Sequence, residues 1–143
     1  MNGIAGKCQK ETANCETLKN GIFYSYPKNS SERYVSKRSG EYQYETNVGN
    51  GDTSVYKVDW LSNCRYTLKL ISSSVKMTAE EKSFYDKHKL AYKIVGVTGD
   101  YYIFKGYIDK TSHASIQSDT MWLKEKLNVV SNELIQSIES EKV

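Results

Sequence analysis

Two runs of alternating residues meet at a turn in the stretch Ser54 to Ser73, SVYKVDWLSNCRYTLKLISS. Before the turn, Tyr56, Val58 and Trp60 share one face while Lys57 and Asp59 take the other; after it, Cys64, Tyr66, Leu68 and Leu70 oppose Arg65, Thr67 and Lys69. A period of two is the signature of a half-buried strand, so this stretch predicts a hairpin turning at Leu61-Ser62-Asn63.

The same pattern recurs on either side. Gly21 to Tyr26 reads as a first strand, closed by Pro27 and the turn residues Lys28-Asn29-Ser30-Ser31. Arg33 to Lys37 and Glu41 to Thr46 read as two more, joined through Ser39-Gly40, with Tyr42 and Tyr44 on one face. The glycines and asparagines of residues 47 to 52 mark a loop. After Ser72-Ser73-Ser74 the period changes. Thr78 and Glu81 have capping-box spacing, in which the hydroxyl accepts from the amide three residues on and the carboxylate accepts from the threonine amide. A helix of about three turns is therefore expected, with Phe84, Tyr85 and His88 along one face. Leu90 to Val97 resumes alternation, Thr98-Gly99-Asp100 turns, and Tyr101 to Asp109 returns with Tyr102, Phe104 and Ile108 inward. Ile116 to Lys124 reads as the last strand, with Ile116, Thr120 and Trp122 on one side. From Leu127 the stripe Leu127, Val130, Leu134 and Ile138 predicts an amphipathic C-terminal helix.

These elements describe a mainly β protein, an antiparallel meander of about eight strands with one short inserted helix and a C-terminal helix. A meander of this number avoids exposed edges best by curling into a barrel or half-barrel. The expected organisation is a polar tether over residues 1–18, a β domain over 19–126 and a helix over 127–143.

Composition narrows the class. A chain of 143 residues buries roughly two-thirds of its unfolded surface in one core. Twelve tyrosines against three phenylalanines favour strands with amphipathic, partly wet faces. The net charge of +3 comes from 20 basic and 17 acidic residues interleaved along the chain, which lacks the basic density that nucleic-acid binding needs. No apolar run approaches the roughly 20 residues of a membrane span. Residues 1 to 20 lack the apolar segment of a signal peptide, which fits an export signal removed upstream of this numbering.

Three cysteines bear on the compartment. Cys15 stands just before the first strand and Cys64 just after the central turn, an arrangement suited to a disulfide pinning the N-terminal segment to the barrel wall; two unrelated thiols is the other reading. Closing a loop of that length stabilises by roughly 4 kcal/mol on chain entropy alone. Cys8 is left over, and an N-terminal unpaired cysteine ahead of a polar tether is a lipidation candidate in an exported bacterial protein, although Ala5-Gly6-Lys7 departs from the small residue expected immediately before it.

Catalytic patterns are sparse. His88 and His113 stand apart, neither with a second ligand at helical or strand spacing, and both read as surface or packing residues; no metal site and no cofactor is expected. No serine occupies a Gly-x-Ser-x-Gly elbow, and Gly96 and Gly99 belong to a hairpin turn. Asp59 and Asp119 read as solvent-facing carboxylates. The expectation is a protein that is not an enzyme.

Three segments carry a resemblance: CETLKNGIF (residues 15–23), VDWLSNCRYTL (residues 58–68) and SDTMWLK (residues 118–124). Together they resemble a group of small, largely uncharacterised bacterial exported proteins, including lipoproteins, with a reduced calycin (lipocalin-like) architecture. Some members carry a DNA topoisomerase IV label. A topoisomerase needs a nucleophilic tyrosine in an arginine-rich setting and far more chain, so that label has no support in these residues. The resemblance covers about residues 15 to 126 and implies a scaffold with no catalytic residues to carry over. It also implies an exported, periplasmic or outer-membrane-associated location, reaching the membrane only through a lipid anchor.

The remaining functional signal is aromatic. Tyr56, Trp60, Tyr66, Tyr92, Tyr102, Phe104 and Trp122 would converge inside such a barrel, which is either filled by its side chains or holds one small ligand. The leading expectation is a calycin-like domain binding a small apolar ligand or a partner protein. The alternative is a structural cell-envelope lipoprotein docking an envelope protein through Leu134 and Ile138. If Trp60 faces the core, Trp60→Ala costs about 3 to 5 kcal/mol in denaturant unfolding; a cost below about 1 kcal/mol would put that ring on the surface and reverse the strand's facing.

Overall fold

The structure is a computed structural model in which residues 15–109 and 116–125 are described; Cys8, most of the expected tether, His113 and the expected C-terminal helix lie outside them. Eight strands follow one another: β1 (Gly21–Ser25), β2 (Tyr34–Ser39), β3 (Tyr42–Asn47), β4 (Thr53–Ser62), β5 (Arg65–Ser73), β6 (Leu90–Val97), β7 (Tyr101–Ile108) and β8 (Gln117–Trp122). Each pairs antiparallel with the next, and β8 returns to β1 through Tyr24 opposite Trp122, so the meander closes into a full barrel. Closure removes the two edges that an open meander would expose.

The central hairpin forms as its alternation predicts, with Trp60 opposite Tyr66 and Val58 opposite Leu68. Its turn is Asn63-Cys64, two residues long and later than the expected Leu61-Ser62-Asn63. β4 runs through Ser62, and Cys64 lies in the turn, not on the strand. Bulges then adjust the facing where strict alternation would misplace a side chain. In β6 the register slips between Ile94 and Gly96, so Ile94 faces Phe104 and Val97 faces Tyr102, and two apolar residues three apart both reach the core.

The helix α1 (Ala79–Lys87) connects β5 to β6 and begins with the expected capping box, Thr78 Oγ1 accepting from Glu81 N and Glu81 Oε1 accepting from Thr78 N, each at 3.1 Å. It buries no residue. Its last turn is held instead by Lys69, whose Nζ donates to the carbonyls of Tyr85 and Asp86 at 2.7 Å each, a cation placed where the helix dipole favours one. His88 caps the helix and its Nδ1 lies 2.7 Å from Asp109 Oδ2.

One end of the barrel is plugged. Cys15 and Leu18, at the end of the segment expected to be a tether, are buried in the core, and Cys15 is disulfide-bonded to Cys64. Beneath this plug lies the side chain of Arg38, 1% exposed, with no carboxylate among the described residues hydrogen-bonded to it. Its Nε donates to Gln43 Oε1 at 2.9 Å and its Nη1 to the Leu18 carbonyl at 2.7 Å. Its Nη2 donates to the hydroxyls of Tyr66 and Tyr102, both at 3.1 Å. The Phe23 and Tyr66 rings lie 4.6 Å from the guanidinium carbon, close enough for cation–π attraction. Burial opposes the charge and the two phenol oxygens favour it, with the net effect of raising the pKa above the usual arginine value.

Because the planar fork matches four acceptors in different directions, lysine cannot replace it. Arg38→Lys is expected to destabilise by about 2 to 3 kcal/mol in urea unfolding, since it strands buried acceptors. A change within about 0.5 kcal/mol would mean that the network does not hold the base together.

Candidate functional site

The strands that carry the plug also decide what is left open. On β3 the inward residues are Gln43, Glu45 and Asn47, because Gln43 pairs with Arg38 on one side and with Tyr56 on the other, and directly paired residues share a face. Tyr42 and Tyr44 are consequently outside, 41% and 42% exposed. On β2 the inward set is Tyr34, Ser36 and Arg38, and on β1 it is Phe23 and Ser25. The barrel therefore has an aromatic base, and small or polar side chains line its β1–β3 wall toward the other end.

Above the base is a cavity of about 260 Å³. Gln43 and Tyr66, both partners of Arg38, belong to its lining, so the network that seals the base also bounds the cavity. The walls include Tyr56, Leu68, Leu90, Tyr92, Phe104 and Met121. Toward the opening stand Tyr34 and Glu45, which with Tyr56 also line a second recess of about 220 Å³ reaching Tyr85 and Glu81 on α1. Tyr34, Glu45 and Tyr56 are thus the junction between the interior and the rim.

Glu45 is half-buried there, and no hydrogen bond or salt bridge to its carboxylate is found among the described residues. Burial raises its pKa above the ordinary glutamate value. The phenols of Tyr56 and Tyr92 are pushed up as well, first by burial and next by the negative charge of Glu45, so both stay neutral. Tyr34 is raised by burial and by neighbouring Glu32.

Of the aromatic residues expected inside, Tyr56, Tyr66, Tyr92 and Phe104 line the cavity. Trp60 and Tyr102 are part of the packed base: Trp60 lies against Tyr66 with ring centroids 4.7 Å apart, and Tyr102 is 0% exposed. Trp122, expected inside, is not. The register of β8 places Met121 opposite inward-facing Tyr102 and Trp122 opposite Tyr101, so the Trp122 ring lies on the outer face, 4.8 Å from that of Tyr101. The facing of β8 is set by its pairing with β7, which the alternation of β8 alone misassigned by one residue; Thr120 moves outward with Trp122.

Asp59 is exposed as expected, whereas Asp119 is half-buried opposite Phe104 and accepts from Thr120 N at 2.7 Å. Among the described residues no group of three or more His, Cys, Asp or Glu could hold a metal ion. Alternation alone does not single out Gln43 and Glu45, because it puts Tyr42 and Tyr44 on one face of β3 without saying which face is inward, and Tyr34 at the start of β2 is equally unmarked. The signal that finds them is Tyr56: once it is inward, its partner Gln43 must be inward too, and Glu45 follows two residues on.

The raised pKa has a defined sign. A carboxyl whose folded pKa lies above its unfolded value gives stability that is present below the unfolded pKa and is lost as pH rises through the folded pKa. Glu45→Gln removes that loss. The variant is therefore expected to be more stable than the parent near neutral pH, by more than the roughly 0.5 kcal/mol scatter of a neutral surface change. The advantage should vanish on acidification below the ordinary carboxylate range, as thermal unfolding across pH would show.

Compared with known proteins, the chain matches no family model, no curated protein and no solved structure.

Proposed function

We propose that this protein is a small-molecule-binding barrel, an exported calycin-like domain without catalytic activity. The observation that carries the reading is the cavity above the Arg38 base. Of the large rings that enter the barrel, Phe23, Trp60, Tyr66 and Tyr102 pack around Arg38 at one end, and about 260 Å³ stays open toward the other. That volume is just below the roughly 300 to 1,000 Å³ of drug-sized pockets, which fits a small ligand. The wall chemistry is that of a binding site: aromatic and aliphatic surface for most of the contact, with Gln43, Glu45 and Gln117 as the few polar groups that would orient a guest.

Export is supported by the Cys15–Cys64 disulfide, a bond that persists in oxidising compartments. Likeness to small exported calycin-like proteins rests on the cysteine before the first strand and the tryptophan–cysteine pair around the central turn, which in this barrel join the plug to the wall.

Native mass spectrometry of the protein isolated from its own host is expected to show a non-covalent adduct lost on gentle activation. Leu90→Trp, which places an indole in the cavity from β6, is expected to fold and to lack the adduct. A bare mass for the unmodified protein, together with retention of any added small aromatic guest by Leu90→Trp, would remove the cavity as the binding site.

A further inference from the structure

The lining of the cavity mouth is one-sided in charge. Four carboxylates, those of Glu32, Glu45, Asp52 and Glu81, line the outer recess, and no lysine or arginine lines either it or the inner cavity among the described residues. This is not the average of the chain, which carries 20 basic residues against 17 acidic ones. Three of the four are already engaged: Glu32 accepts from Asn47 Nδ2, Asp52 from Ser74 Oγ and Glu81 from the Thr78 amide. Glu45 is the exception, and it stands where recess and cavity meet.

The surroundings of Glu45 are what a positive guest requires. Tyr34 and Tyr56 line both spaces with it, and Tyr92 lines the inner one; all three are neutral phenols offering π-faces or hydroxyls. Aromatic faces attract a desolvated cation, and a nearby carboxylate adds a direct counter-charge. An anionic guest meets the opposite situation. The one buried guanidinium, Arg38, is committed to Gln43, the Leu18 carbonyl, Tyr66 and Tyr102, and does not line the cavity.

We propose that the guest is a small organic cation, an amine or quaternary ammonium group on an apolar body, with its charge at Glu45 among Tyr34, Tyr56 and Tyr92. The proposal rests on the reading of the cavity as a ligand site and adds the chemical class. Low-dielectric walls and the acidic rim would concentrate such cations at the opening. An unpaired carboxylate held out of water costs folding free energy, and a bound cation would offset that cost.

The test compares benzyltrimethylammonium with its neutral carbon isostere, neopentylbenzene, by ligand-observed NMR titration of the full chain. The cation is expected to bind at least about tenfold more tightly than the isostere, a gap equal to about 1.4 kcal/mol. Glu45→Gln is expected to close that gap while leaving neopentylbenzene unchanged. On the unmodified protein, the cation's affinity should fall at least about tenfold between about pH 7 and about pH 4, and the isostere's should not. The other ionisable groups facing Glu45 are Tyr34, Tyr56, Tyr85 and Tyr92 and the rim carboxylates Glu32, Asp52 and Glu81; all of them remain in the Glu45→Gln variant, which therefore subtracts whatever they contribute. Equal affinities for the two probes, or a preference for the cation that survives Glu45→Gln, would overturn the proposal and leave the apolar cavity standing. Failure of both probes to bind would overturn the ligand-site reading as well.

Discussion

A guanidinium sealed inside a barrel must find its acceptors within the fold, and Arg38 does so in a way that the rest of the structure depends on. Its partners come from the N-terminal plug, from β3, from β5 and from β7, so one side chain fixes the relative positions of elements that lie up to 64 residues from it in sequence. Hydrogen bonds to a charged group contribute about 1.5 to 3 kcal/mol each when made, and losing a partner leaves a desolvated charge. The disulfide acts on the same region by a different route, tying Cys15 to Cys64 and limiting how far the plug can leave the wall even when the hydrogen bonds break.

The arrangement of this base explains why the barrel is not simply full. Phe23, Trp60, Tyr66 and Tyr102 gather around the guanidinium, drawn by cation–π contact and by the need of two phenols for a donor. Large rings committed to one end cannot also fill the other. Toward the opening the inward positions belong to Ser25, Tyr34, Glu45, Asn47 and Ser54, which are small or polar, and the strand bearing Lys69 extends past its pairing with β6 to support α1. The packed base and the open cavity are two consequences of one distribution of side-chain size.

Glu45 is the clearest conflict between stability and any other demand in this molecule. Interior positions of a small barrel are readily occupied by uncharged residues, and a half-buried carboxylate that meets no donor among the described residues weakens the fold at neutral pH. Such conflicts concentrate where a side chain has work beyond packing. Arg38 and Glu45 show two treatments of buried charge: the first is satisfied at every turn and seals the base, the second stands at the mouth facing space.

Much of the architecture was legible from local pattern. The alternation around Ser54–Ser73, the Thr78–Glu81 capping box and the hairpin at Thr98–Asp100 are short-range features, and each is written in residues within a few positions of one another. The eight-stranded meander follows from their order, because strands joined by short turns pair with their neighbours. What local pattern could not decide was the facing of strands with polar and apolar residues on both sides. Tyr42 and Tyr44 alternate as well as Gln43 and Glu45 do, and Trp122 competes with Met121; only register with β4 and β7 chose between them. Side-chain period is two, so a slip of one residue exchanges inside for outside, and the choice belongs to the closed sheet as a whole. The position of Glu45, and with it the charge of the cavity mouth, was therefore a property of tertiary pairing and not of the strand that carries it.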